Sequence, residues 1–453
     1  MKKDVVIVGG GPAGIVTATT AKKTYPDKSV VVIRKEREGV IPCGIPYIFH
    51  TLPTLDANNM PIKGAEDLGV GFVFDEVEEV STDAKRVKLS GGESIEYEKL
   101  VIATGSQPIF PPIKGSELPG VFTIAKDKEY LRTVRAAAKS AKKVVVVGGG
   151  FIGVEVSEEI LSDGKEVYLV EAVDQILTAA FDKEFGAMIS ERLEKKGMKL
   201  RTGMKVFEIK GEDKVSGVLL DNGEEIEADM VILAIGYRPN VKLLENIPIH
   251  RGITGGIWAD EYMRTSIDDV FAAGDCVEHK CFFTRKPSRL MLASTAAFEA
   301  RVAGSNLFKL KMIRENHGNL GVFSTSVANL TVAAAGLTEC TAKMENFDYV
   351  VGFAKGVDRH PGSLPDKSEI FVKMIFSKNS GILLGAQMAG GKSVGEMINI
   401  IGLGLQKGIT VNDFLTMQIG SHPLLTAAPT TYPLTLAAEK ALVSILAAKD
   451  GSI

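Results

Sequence analysis

Residues 4–14 read Asp-Val-Val-Ile-Val-Gly-Gly-Gly-Pro-Ala-Gly, and residues 143–153 read Lys-Val-Val-Val-Val-Gly-Gly-Gly-Phe-Ile-Gly. In both stretches a short β-branched run enters a G-x-G-x-x-G turn. A helical pattern follows, Ile15–Lys23 in the first and Val154–Ser162 in the second. A second strand pattern comes next in each, at Val30–Ile33 and Val167–Val170. The segments also end alike, Leu100-Val-Ile-Ala-Thr-Gly105 echoing Met230-Val-Ile-Leu-Ala-Ile-Gly236. The chain therefore carries one βαβ unit twice.

Glycines at this spacing between strand and helix make a phosphate cradle. The first (Gly9, Gly148) permits the tight turn, the second (Gly11, Gly150) lets backbone approach a pyrophosphate, and the third (Gly14, Gly153) lets helix pack on strand. Between them, Pro12 and Ala13 in one unit and Phe151 and Ile152 in the other begin the helix, whose unpaired N–H groups face the phosphates. A carboxylate is expected about 20 residues past the fingerprint, at the adenosine ribose. The second unit supplies Glu171, and no arginine follows within Ala172–Leu177 to meet a 2′-phosphate, which favours NADH over NADPH. The first unit departs from the pattern. Arg34 stands there with Glu36 two residues on, and either Glu36 takes the ribose or Arg34 contacts the adenylate.

At 453 residues the chain exceeds one ordinary domain. Pro108–Pro112, with three prolines in five residues, and Gly252–Gly256 read as linkers on either side of the second unit. The expected fold is α/β, with two Rossmann-like dinucleotide-binding domains and a C-terminal α+β domain. The first domain is discontinuous over 1–112 and 254–317, the second spans 113–253, and the third spans 318–453. A helix-like run covers Arg289–Leu307. In the third domain strand-like pieces, Ile370–Phe376 and Gly381–Gly385, precede a helical stretch near Val394–Lys407.

A net charge of −3 gives no electrostatic case for nucleic acid or an anionic membrane. No apolar run reaches the roughly 18 residues that span a bilayer. Met1-Lys2-Lys3 before Val5–Val8 imitates a signal peptide, but the run enters the glycine turn with no A-x-A-like site, so it reads as a first strand and points to the cytoplasm. Four cysteines (Cys43, Cys276, Cys281, Cys340) form no C-x-x-C pair. At most one or two have a special role; the rest are expected to be buried packing residues.

The two units together with Thr265-Ser-Ile-Asp-Asp-Val-Phe-Ala-Ala-Gly-Asp275 resemble the flavin-dependent pyridine nucleotide–disulfide oxidoreductases over essentially the whole chain. The resemblance implies FAD in the first module and NAD(P)H in the second. Gly274-Asp275 would meet the flavin's ribityl chain, and Ala103-Thr104-Gly105 would lie along the same cofactor, with Gly236 as counterpart in the second module. Ile41-Pro-Cys-Gly-Ile-Pro-Tyr47 is similar to the coenzyme A–disulfide reductase and NADH oxidase branch, which carries one redox cysteine. Cys43 would then pass electrons onward, its pKa lowered by a helix starting near Pro42. Phe151 would gate the nicotinamide face, and Glu155 would sit near the nicotinamide amide.

The third domain resembles the family's dimerisation domain, which implies a homodimer whose tail enters the partner's site. Ser421-His422-Pro-Leu-Leu-Thr-Ala427 is similar to the His-Pro-Thr-Leu-Ser-Glu run of two-cysteine reductases, with Ala427 in place of the glutamate. His422 is thus a proton donor without its usual partner, or a capping residue. Tyr432 matches a tail tyrosine of the coenzyme A branch, but His360-Pro361-Gly362 replaces that branch's other tyrosine and Gly39 its serine, which leaves coenzyme A open as a ligand. Three functions follow. The first is NADH-driven reduction of a low-molecular-weight disulfide, persulfide or polysulfide through Cys43. The second is an NADH oxidase or peroxidase, disfavoured by Pro12 where the peroxidase branch carries a histidine. The third is an electron-transfer flavoprotein serving a protein partner.

Overall fold

A computed structural model describes residues 1–313 and 318–449, so the expected boundary at 317/318 falls beside a segment outside the described residues. In the first sheet, strands Gly71–Phe74, Val30–Arg34, Lys2–Val8 and Ser94–Ile102 lie side by side in parallel. Val77–Ser81 and Arg86–Leu89 extend it as an antiparallel excursion. Val270–Ala272, from far along the chain, adds a parallel strand beside Leu100–Ile102. Val5, Val6 and Ile7 are 0% exposed, which explains why this strand reads as an unbroken apolar run: helices or loops cover both of its faces. The helix Pro12–Thr24 packs on the helix Ala293–Asn306, which starts four residues later than the Arg289 expected from sequence.

The second sheet is wholly parallel, in the order Lys199–Thr202, Glu166–Glu171, Lys143–Val147, Met230–Leu233, Val121–Thr123. Helices Lys128–Ser140, Phe151–Ser162 and Lys183–Lys196 accompany it. An antiparallel ribbon from Val206 to Glu227 packs on it through Val218, Leu220 and Ile226. The two connections to the first sheet run together, Ser106–Pro108 pairing antiparallel with Tyr237–Pro239. The third unit is a five-stranded antiparallel sheet backed by helices Val394–Lys407 and Pro433–Lys449. The fold is therefore α/β with an α+β C-terminal unit. No described helix is long and apolar enough to cross a membrane.

Candidate functional site

One cavity of about 2760 Å³ opens between the three units. That is several times the roughly 300–1,000 Å³ of a pocket for a single small ligand. Both glycine turns line it. At Gly9 (φ +112°) and Gly148 (φ +111°) the backbone takes a conformation that side chains disfavour, and an added Cβ would fall 2.2 Å from the Ala103 carbonyl oxygen and 2.5 Å from that of Ala234. The third glycines face inward: a Cβ on Gly14 would lie 1.9 Å from the Gly9 oxygen, and one on Gly153 1.8 Å from the Gly148 oxygen. The second glycines differ. A Cβ on Gly11 or Gly150 would meet nothing within 4 Å. Each of these residues caps its helix with no side-chain hydrogen bond, so the first N–H groups look into open cavity. Two empty cradles with uncapped helix ends fit two dinucleotides. Pro12, Ala13 and Ile152 also line the cavity.

Arg34 ends its strand 6% exposed and folds across the first glycine turn, its side chain filling the space a Cβ on Gly10 or Gly39 would need. Its Nη1 is buried with no partner, a donor awaiting an acceptor. Glu36 faces the same cavity, its carboxyl raised by burial and then by Asp127, against the pull of Arg34. In the second unit Glu171 Oε2 accepts from Gly149 N–H at 2.6 Å and Oε1 from Val173 N–H at 2.9 Å. This ties the acid to the cradle and leaves lone pairs for a ribose hydroxyl. Lys205 lines the same cavity beside Met204, whose N–H bonds the Glu171 carbonyl. Lys205 lies outside Ala172–Leu177, reaching the rim at the start of the following ribbon, Val206–Gly211.

Asp275 lines the cavity with Ala103, Thr104 and Gly105; Gly236 lines it from the second unit. Gly274 (φ +83°) packs behind, against Ala13 and Ala296. Burial pushes the Asp275 carboxyl up, but Lys126 and Ser106, each 2.8 Å from Oδ2, outweigh it and hold the group below the usual carboxylate range. Lys126 belongs to no motif, so sequence reading passed over it. Beneath the turn, Glu299 accepts from Gly274 N–H at 2.9 Å and pairs with His279 at 3.3 Å. Burial alone would lower His279, but Glu299 prevails and lifts it from 6.5 to about 9. A folded-state value above the unfolded one means stabilisation fully present below pH 6.5 and lost as pH rises through about 9. We therefore expect Tm to fall as pH rises through that window, and the fall to vanish in His279→Gln, as read by thermal melts across pH.

Cys43 opens onto the cavity from a single 3₁₀ turn, Pro42–Gly44, followed by another, Pro46–Phe49. The helix expected there to lower its pKa is absent. The residue as a whole is exposed, yet the atoms packed around its thiol push it up, Glu155 and Asp275 add to this, and the Lys126 ammonium opposes them. Tyr47, one turn on, also faces the cavity, its phenol pushed up to about 12 by burial and then by Glu155. Glu155 lies on the Phe151 helix and accepts from Thr325 Oγ1 at 2.7 Å; burial raises its carboxyl to about 7. Phe151 stacks on Phe323, ring centroids 5.1 Å apart. Cys276 is buried as expected; Cys281 is only half-buried, and Cys340 is exposed, because the short helix carrying it turns that position to solvent.

His422 and Tyr432 do not line this chain's cavity. His422 is exposed, and its Nδ1 accepts from Leu424 N–H at 3.2 Å. His360 meets the same tail: its Nδ1–H donates to the Thr426 carbonyl at 2.9 Å. Tyr432 is 8% exposed within the C-terminal core, where burial pushes its phenol up. An apolar neighbourhood rather than the cavity holds it in place.

Two dinucleotide cradles, an acidic turn between them and a cysteine on the shared cavity define a flavin- and nicotinamide-using oxidoreductase. The chain belongs to the pyridine nucleotide–disulphide oxidoreductase family. Residues 3–300 match that family's model, and residues 322–433 match its dimerisation domain. It is 35% identical over 446 residues to an NAD(P)H coenzyme A polysulfide/persulfide reductase of Pyrococcus horikoshii, covering 97% of this chain and 98% of the relative. It is 32% identical over 453 residues to an NADH oxidase of Methanocaldococcus jannaschii, covering 96% and 98%. Among solved structures it resembles an NAD-dependent persulfide reductase from A. fulgidus, with 30% identity and a TM-score of 0.89 over 100% of this chain and 84% of that one.

Proposed function

We propose that the protein oxidises NADH and reduces a low-molecular-weight disulfide, persulfide or polysulfide through Cys43. The observation that carries this reading is that Cys43 alone among the described cysteines faces the cavity shared by both cradles. In this reading residues 1–112 and 254–317 hold FAD through Gly9, Gly11, Gly14, Gly274 and Asp275, with Arg34 Nη1 toward the adenylate and Glu36 toward its ribose. Residues 113–253 hold NADH through Gly148, Gly150, Gly153, Gly236 and Glu171, with Phe151 over the nicotinamide face and Glu155 near the amide. Bound FAD supplies the two-electron link from NADH that returns Cys43 to the thiolate.

The rest belongs to side chains. Cys43 Sγ attacks one sulfur of the acceptor: a Cys43–S bond forms, the acceptor S–S bond breaks, and the leaving sulfur departs with its electron pair and takes a proton from solvent. The two electrons from NADH then break the Cys43–S bond, releasing the second sulfur and restoring the thiolate. The Lys126 cation opposes the burial that disfavours the thiolate. Residues 318–453 form the two-fold contact of a homodimer in the cytoplasm, and His422 with Tyr432 would serve the partner's Cys43. Coenzyme A, part of the name of the Pyrococcus horikoshii relative, is the thiol carrier to test first. The relative named as an NADH oxidase supports oxygen as the second acceptor. An anaerobic NADH assay against coenzyme A disulfide, polysulfide and peroxide, run beside an aerobic one, separates the two.

NADH should exceed NADPH in kcat/KM by roughly 1–3 kcal/mol, the cost of a 2′-phosphate against Glu171. Lys205 on the same rim keeps NADPH usable. Steady-state kinetics with both nucleotides check this, and a tenfold preference for NADPH would reverse the assignment of Glu171.

A further inference from the structure

Among the described residues, no hydrogen bond from the strands of the first sheet reaches the turns of the segment that carries Cys43. Its two 3₁₀ turns begin with Pro42 and Pro46, which have no N–H to give, and short 3₁₀ turns bond weakly. At its near end Asn58 Nδ2 donates to the Ile41 carbonyl at 3.0 Å. Among the described residues, the side-chain hydrogen bonds at its far end, Ile48–Pro53, come from the second nucleotide unit. Arg135, on the helix Lys128–Ser140, donates from Nε to the Ile48 carbonyl at 2.7 Å and from Nη2 to the Pro53 carbonyl at 2.8 Å. Glu159, on the Phe151 helix and 6% exposed, accepts from Thr51 N–H at 2.8 Å and Thr51 Oγ1 at 2.7 Å. The apolar side chains agree: Ile45, Ile48 and Phe49 are buried in one cluster with Leu131, Val134, Val156 and Ile160 of those two helices.

We propose that Glu159 and Arg135 are positioning residues for Cys43, a clamp by which the second nucleotide unit sets where the thiol stands in the cavity. Neither side chain lines the cavity. The clamp has a functional consequence because Glu159 shares one unbroken helix with Phe151 and the second cradle. A single rigid element thus fixes the cradle at its start and the cysteine segment further along, and a displacement of the thiol by about 1 Å can cost about 100-fold in rate. This inference rests on the reading of Cys43 as the group that meets the acceptor.

The test compares Arg135→Gln, Glu159→Gln and the milder Thr51→Val with wild type. Two quantities are read: sulfur-acceptor kcat, and the iodoacetamide alkylation rate of Cys43 by peptide mass spectrometry, with exposed Cys340 as internal standard. The expected result for the clamp variants is a fall in kcat of at least about tenfold with FAD content unchanged. Cys43 is itself exposed, so its alkylation should shift by at least about threefold as the thiol leaves its place beside Lys126, Glu155 and Asp275, with Cys340 unaffected. Folded variants that keep both quantities within about twofold of wild type would overturn the proposal. If the two clamp variants fail to fold, wild-type values for Thr51→Val would overturn it equally. The alkylation readout needs no acceptor, so it separates failure of the clamp from failure of the proposed reaction.

Discussion

Cys43→Ser is expected to lower disulfide or polysulfide turnover by about three orders of magnitude or more, the scale of losing an attacking nucleophile. A serine hydroxyl has no accessible anion near pH 7, whereas the thiol has one within reach. The variant should still bind FAD, because the first cradle and Asp275 lie in other segments, and NADH should still bleach the flavin absorbance at close to the wild-type rate. Any long-wavelength thiolate-to-flavin band of the reduced wild type should disappear. Stopped-flow absorbance with NADH and then with acceptor measures both halves in one preparation.

The second large effect separates the two kinds of glycine in the first cradle. Gly11→Val should leave the fold intact, since a Cβ there meets nothing within 4 Å, yet the protein should be purified without flavin. Gly14→Val should fail differently: its Cβ would sit 1.9 Å from the Gly9 oxygen, so helix and strand must separate. Overpacking of this kind costs about 1–3 kcal/mol or more. The expected outcome is a Tm near that of the wild-type apoprotein for Gly11→Val and a clearly lowered one for Gly14→Val. Flavin-to-protein ratio and thermal melts check the pair.

The α/β architecture was legible because glycine spacing is a local code: strand, turn and cradle are written in eleven consecutive residues, twice. Glu171 was legible for the same reason, and the structure bonds it to the cradle it was expected to serve. Tertiary contacts decided the rest. The environment of Cys43 depends on Lys126, Glu155 and Asp275, far apart in sequence, and the expected helix at Pro42 gives way to 3₁₀ turns whose fixation comes from Arg135 and Glu159. Arg34 looked anomalous as a sequence departure; in the structure its length fills the space left by Gly10 and Gly39. The ring proton of His360, not of His422, meets a carbonyl acceptor in the tail. No local pattern announces such a bond.

The central claim, that NADH-derived electrons leave through Cys43 to a sulfur acceptor, is tested most directly by comparing acceptors in one enzyme preparation. NADH oxidation would be followed anaerobically with coenzyme A disulfide, polysulfide and peroxide, and aerobically with none of them, for wild type and Cys43→Ser. A sulfur acceptor should give the highest kcat/KM by at least about tenfold, and only this activity should collapse in the serine variant. Faster turnover with oxygen or peroxide, or sulfur turnover at the wild-type rate in Cys43→Ser, would contradict it.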